Sequence, residues 1–122
     1  VGLYAGEEEQ RKAIRSVYER EGYVLDTHTA VAYASYFEYK KLVNDEHKTV
    51  IASTASPYKF AESVVFAIEG KKSGEWESIE KLKELSKVKI PNAVEEVRNA
   101  DIRHSQECDI ADMKKTVKDI LV

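Results

Sequence analysis

The chain has 122 residues, of which 43% are apolar and 34% charged, and this composition suits one soluble globular domain and excludes intrinsic disorder. The length leaves no room for two independent cores. With 19 basic against 22 acidic side chains the net charge is -3, too small and of the wrong sign to draw in nucleic acid or an anionic membrane.

The chain opens on Val1-Gly2-Leu3-Tyr4-Ala5-Gly6 without a methionine, and Met113 is its only one. A removed leader or a piece of a longer chain is therefore expected. Residues 7–21 then predict a surface helix. Ala13, Ile14, Val17 and Tyr18 make a narrow apolar stripe, and Glu7, Glu8 and Glu9 sit at the end where the helix dipole favours acids. Gly22 supplies the stop.

Residues 23–28 read as an extended entry to a second helix over about 29–43, with Asp26 or Thr27 as its cap. Ala30, Val31, Ala32, Tyr33, Ala34, Tyr36 and Phe37 leave few polar interruptions, so burial on every face is expected for its first two turns. A polar turn is expected at 44–48.

Residues 49–54 predict a strand, since Thr49, Val50, Ile51 and Thr54 are β-branched. A short buried run between two helices is what a parallel-sheet strand looks like. Pro57 ends it, and a helix over 59–69 is expected with Phe60, Val64, Ala67 and Ile68 on one face. The expected fold class is thus α/β, predominantly helical, with one or few short strands. Residues 1–69 form the helix-helix-strand-helix unit, and 70–122 a polar, mainly helical extension packed on it. In that extension Ile79, Leu82 and Leu85 mark a helix, and 87–90 a short extended segment closed by Pro91. Asn92 is the expected cap of a brief helix carrying Val94 and Val97. Asp109 is the expected cap of a last helix whose stripe is Ile110, Met113, Val117, Ile120 and Leu121.

Little in the residues alone points to chemistry. His28, His47 and His104 fall on separate segments, so no metal site is expected. Cys108 cannot form an internal disulfide, has no basic neighbour to lower its pKa, and favours a reducing, cytoplasmic setting. No apolar run reaches the roughly 18 residues that span a bilayer, and no signal-peptide layout is present. The informative stretch is Ser53-Thr54-Ala55-Ser56-Pro57-Tyr58-Lys59-Phe60. Ligands in open α/β sheets bind beyond the carboxyl ends of strands, where this stretch places three hydroxyls. Those hydroxyls also serve as caps for the helix that Pro57 opens, and pattern alone favours that bland role.

Gly22-Tyr23-Val24-Leu25-Asp26-Thr27-His28-Thr29-Ala30-Val31, followed about twenty residues later by Val50-Ile51-Ala52-Ser53-Thr54-Ala55-Ser56-Pro57-Tyr58-Lys59-Phe60, resembles the C-terminal part of the threonine synthase family. Family members carry stretches of the form G-Y-x-x-D-P-H-T-A-V and T-A-H-P-A-K-F in this order. The resemblance covers 4–70 well and the remainder loosely. Ser56 stands where the family has histidine, and Thr27 where it has proline.

The resemblance implies the C-terminal part of the large domain of a fold type II pyridoxal-phosphate enzyme, one that converts O-phosphohomoserine and water to threonine and phosphate. It implies that Thr54 lies against the cofactor's pyridine nitrogen, with Ser53 and Ala55 in the same loop and His28 and Lys59 in support. It also implies that the Schiff-base lysine, in an F-K-D segment, and the Gly-rich phosphate loop belong to an upstream part that is not among these residues. The chain alone is then expected to be catalytically silent and to hold no cofactor. Its expected partner is that N-terminal part of the same chain, with dimerisation of the fragment as a further expectation. Two other readings stay open: a stand-alone helical interaction module, and the equivalent segment of another pyridoxal-phosphate lyase.

Overall fold

Glutamates at the front and a glycine at the back delimit the first helix, α1 (Glu7–Glu21). Glu9 accepts a hydrogen bond from the Gly6 N–H at 3.1 Å, and the ion pairs Glu7–Arg11 and Glu8–Lys12 brace the outer face one turn apart. Gly22 takes a left-handed φ of 67° and donates its N–H to Tyr18 O, closing the last turn. Ala13, Ile14 and Val17 are buried as their stripe predicts, and Tyr18 packs half-buried beside them. In this computed structural model the described residues are 2–43 and 46–121. Asn44 and Asp45 of the expected turn lie outside them.

After Val24 and Leu25, both buried, the chain enters α2 (Thr27–Leu42), which packs along α1. Pro57–Phe60 forms a single 3-10 turn that leads directly into α3 (Ala61–Glu69), and α3 crosses α1 and is backed by α4 (Glu75–Ser86). The core lies where these four helices meet: Ile14, Ala30, Val64, Val65, Ile79 and Leu82 are almost fully enclosed. Each large aliphatic side chain buried there stabilises the fold by about 1.5–3 kcal/mol. Two polar links hold the layers in register. Arg15 on α1 donates from Nε to Ala67 O near the end of α3 at 2.8 Å, and Lys81 on α4 pairs with Glu69 of α3.

The short α5 (Asn92–Arg98) follows Ile90, which is buried, and Arg98 returns to Glu80 and to the face of Trp76. Residues 99–109 are exposed, and a 3-10 turn (Ile110–Asp112) leads into α6 (Met113–Ile120). None of the helices is long and apolar enough to cross a membrane among the described residues.

The helical character follows the sequence, but several local expectations need correction. Residues 49–54 form no strand, and none occurs among the described residues. β-branching suits a pleated backbone, yet a strand also needs a neighbour to complete its ladder, and no second extended segment pairs with this one. Val50 is 94% exposed. Residues 87–90 likewise pair with nothing in a ladder. The all-round burial expected of α2 is confined to its first turn, at Thr27, Thr29 and Ala30. Beyond it, α1 covers one side, and Phe37 and Leu42 stand exposed.

On α3, Val65 joins Val64 and Ala67 in the core while Phe60 falls outside it, because the 3-10 turn shifts Phe60 off the helical register. Asn92 is the first residue of its helix rather than the cap, a position Pro91 occupies. Asp109 precedes the 3-10 turn but makes no capping bond, and the whole stripe from Ile110 to Leu121 is exposed.

Candidate functional site

The two motif segments meet at the amino end of α2. Asp26 caps that helix: its Oδ1 accepts from His28 N at 2.9 Å and from Thr29 N at 3.2 Å. Its other oxygen, Oδ2, accepts from the Thr29 hydroxyl and from Ser53 Oγ, the latter at 3.2 Å. The two hydroxyl oxygens lie 3.0 Å apart. Each hydroxyl has one proton to give, and both are within reach of Oδ2, so both carboxylate oxygens are satisfied.

Asp26 is 1% exposed. Burial pushes its carboxyl up, but the hydrogen bonds from Thr29, His28 and Ser53 outweigh that and hold it below its ordinary value. A charged carboxylate thus sits inside the fold, held by hydroxyl and backbone N–H donors.

His28 follows on the first turn of α2 with its side chain 58% exposed. Its Nδ1 lies 3.5 Å from Asp26 Oδ1 and 3.4 Å from Thr27 Oγ1, and its ring tilts against Phe60 with centroids 5.4 Å apart. Lys59 reaches the same ring, its Nζ 5.6 Å from the centroid. His28 and Lys59, which the sequence placed in two distant motifs, therefore converge on one exposed aromatic.

Ser53 is tied to Asp26 and Thr29, while the next residue, Thr54, is exposed and Ala55 half-exposed. Ser56 performs the bland role foreseen for it: its Oγ accepts from Tyr58 N at the start of the 3-10 turn. Tyr58 in turn is buried and donates its hydroxyl to Val88 O at 2.6 Å, anchoring the downstream end of the stretch. The Ser53–Phe60 segment is thus pinned at both ends, by Ser53 and by Tyr58, with Thr54 and Ala55 presented between them.

Sequence reasoning identified Asp26 only as a cap and did not connect Thr29 to the site. The available signal was the pair of hydroxyl residues flanking His28 after an aspartate, a pattern able to receive a third hydroxyl from elsewhere. His47 and His104 are exposed and lie on other segments of the chain. Cys108 is exposed and unbridged, and no cluster of potential metal ligands occurs among the described residues.

A second feature is an apolar groove of about 320 Å³ between α1 and α2, lined by Tyr4, Ala13, Tyr33, Ala34 and Phe37 and rimmed by Arg20 and Glu38. Arg20 donates to the Tyr33 hydroxyl at 2.8 Å at its exposed edge. On α2 the ring of Phe37 meets both Tyr33, tilted by 55° with centroids 4.8 Å apart, and Tyr36, edge-on at 5.5 Å.

Comparison with individual curated proteins gives no match. The family model described as threonine synthase, C-terminal, matches residues 29–108, a span that begins at Thr29 of the buried network and takes in the whole Ser53–Phe60 stretch. The match covers well over half of the chain, which belongs to the threonine synthase C-terminal family.

Proposed function

We propose that this chain forms the cofactor-facing C-terminal portion of a pyridoxal-phosphate enzyme that converts O-phosphohomoserine and water to threonine and phosphate. The observation that carries the reading is the placement of Thr54. It stands exposed between two anchored residues, with its hydroxyl making no bond among the described residues, in a segment the family match includes.

That placement fits the cofactor's pyridine end. An unengaged hydroxyl can donate to or accept from a ring nitrogen, and small neighbours at Ser53 and Ala55 leave room for a flat ring. When bound, pyridoxal phosphate supplies the electron sink of the reaction. Thr54 orients the ring through its nitrogen, and because a hydroxyl is neutral it leaves that nitrogen less protonated than a carboxylate would. Ser53 and Ala55 shape the loop around Thr54. His28 and Lys59, gathered on Phe60, border it and supply cationic or proton-carrying groups at its edge.

The lysine that would bond the cofactor and the Gly-rich loop that would cradle its phosphate belong to the catalytic part of such an enzyme. Neither motif occurs in these 122 residues. The chain by itself is therefore inactive, and it works in the cytoplasm against that catalytic part. The aromatic face of α2 supports this arrangement, since exposed contiguous apolar surface marks a contact region. The same face is what a stand-alone interaction module would present, or a fragment that dimerises, so the test must separate these readings.

Titrating pyridoxal phosphate into the purified chain is expected to give only the weak, non-saturating absorbance of surface lysines. The same titration with the catalytic part added gives a saturable signal and threonine formation. Saturable binding by the chain alone, or no gain on adding the catalytic part, contradicts the proposal.

A further inference from the structure

Asp26 does more than cap a helix. The segment that carries Thr54 has no ladder to hold it, and Val50 within it is almost fully exposed. Among the described residues of 49–55, Ser53 alone is hydrogen-bonded to the helical body, and both of its partners, Asp26 and Thr29, belong to the start of α2. The Asp26 carboxylate is the hub of that link, because Thr29 also donates to it and its other oxygen is held by two backbone N–H groups. An acceptor locked on four sides is a fixed point. One bond from it, through Ser53, reaches the residue immediately before Thr54.

We propose that Asp26 is a positioning residue: through Ser53 it fixes the loop that presents Thr54, so that the site is ordered before any ligand arrives. This rests on the reading of Thr54 given above. The buried charge serves this role better than a neutral acceptor, since hydrogen bonds to an ionised group are shorter and stronger than those between neutral groups. Side chains held by packed, hydrogen-bonded supports lose less freedom on binding, which is the physical advantage of preorganisation.

The test uses backbone ¹⁵N relaxation of the 122-residue chain, with Ser53→Ala and Ser53→Thr variants. Ser53→Ala removes the link from the loop side and leaves the capping bonds of Asp26 intact, so loss of folding does not confuse the result. Thr54 and Ala55 are expected to show order parameters near the rigid value of about 0.85 in the native chain and to fall below about 0.6 in Ser53→Ala. Ser53→Thr, which keeps the hydroxyl, restores them. The second arm joins each variant to the catalytic part and records the cofactor's absorbance spectrum beside that of Thr54→Val. A Ser53→Ala shift in the same direction as Thr54→Val supports the inference. Unchanged order at Thr54 in Ser53→Ala overturns it, even where Thr54→Val still moves the spectrum and the functional reading stands. A Thr54→Val spectrum identical to the native one overturns the functional reading itself.

Discussion

Ser53 Oγ lies 3.2 Å from Asp26 Oδ2, joining two residues 27 positions apart in the chain. This contact brings the two sequence motifs into one site, and it does so with a buried carboxylate whose every bond comes from a hydroxyl or a backbone N–H. Asp26 is the acceptor common to all of these donors, so removing it leaves each of them without that bond.

Replacing Asp26 therefore destabilises the chain in a graded way. Asp26→Ala removes the helix cap and strands the hydroxyls of Thr29 and Ser53, at a cost of about 2 kcal/mol. Asp26→Asn keeps one carbonyl acceptor and a serviceable cap, at about 1 kcal/mol. Urea denaturation followed by circular dichroism measures both: equal stability of the two variants contradicts the capping role of the retained oxygen, and native stability in Asp26→Asn contradicts the role of the second one.

The same carboxyl makes stability depend on pH. Its value in the fold lies below the ordinary 3.8, held there by Thr29, His28 and Ser53 against the opposing effect of burial. In acid the unfolded chain takes up this proton first, so the contribution is complete above the unfolded value and is lost as pH falls through the folded one. The stability gap between the native chain and Asp26→Asn is accordingly constant from neutral pH down to about pH 5 and closes below about pH 4. A gap that widens on acidification gives the wrong sign for this account.

Gly22 is required by its backbone. At φ 67° with nothing within 4 Å of an added Cβ, the penalty for alanine comes from the left-handed conformation alone. Gly22→Ala is expected to cost about 1 kcal/mol. Gly74 has equally open space but an extended backbone, φ -69° and ψ 165°, so Gly74→Ala is the control and stays within about 0.5 kcal/mol of the native chain. Thermal melts of the pair distinguish conformational strain from crowding.

Phe37 tests what the face of α2 is for. It is 45% exposed and its ring contacts only its helix neighbours Tyr33 and Tyr36 among the aromatic pairs described. Phe37→Ser is expected to change the stability of the isolated chain by less than about 1 kcal/mol. It should weaken association with the catalytic part by at least tenfold, as loss of a buried aromatic at an interface does. Sedimentation of the mixed components reads the association, and unchanged affinity removes α2 from the contact.

How much of this was legible in the residues depends on how local each signal is. The limits of α1, the Gly22 stop and the Asp26 cap rest on interactions within four residues, and their residue types declare them. The strand expected at 49–54 failed because β-branching is local while pairing is not: the segment lacks a partner, which no inspection of Thr49, Val50 and Ile51 reveals. The apolar run on α2 is enclosed only at its first turn, because beyond it α1 covers one side alone. Asn92 is displaced from its cap by one residue, to Pro91, and Asp109 precedes a 3-10 turn that puts Asp112, three residues on, at the cap position of the last helix. Ser53 and Thr54 were singled out by motif, yet the support for them through Asp26 and Thr29 depends on a fold-dependent contact across 27 residues.

The central claim, that this chain presents Thr54 to the cofactor of a threonine-forming enzyme, is tested most directly by Thr54→Val in the assembled enzyme. Valine matches threonine in shape and removes only the hydroxyl. The expected result is a shifted cofactor absorbance and turnover slowed by about tenfold or more, the loss of roughly 1.4 kcal/mol of transition-state stabilisation, with an unchanged circular dichroism spectrum. Native absorbance and native turnover in that variant would contradict the account.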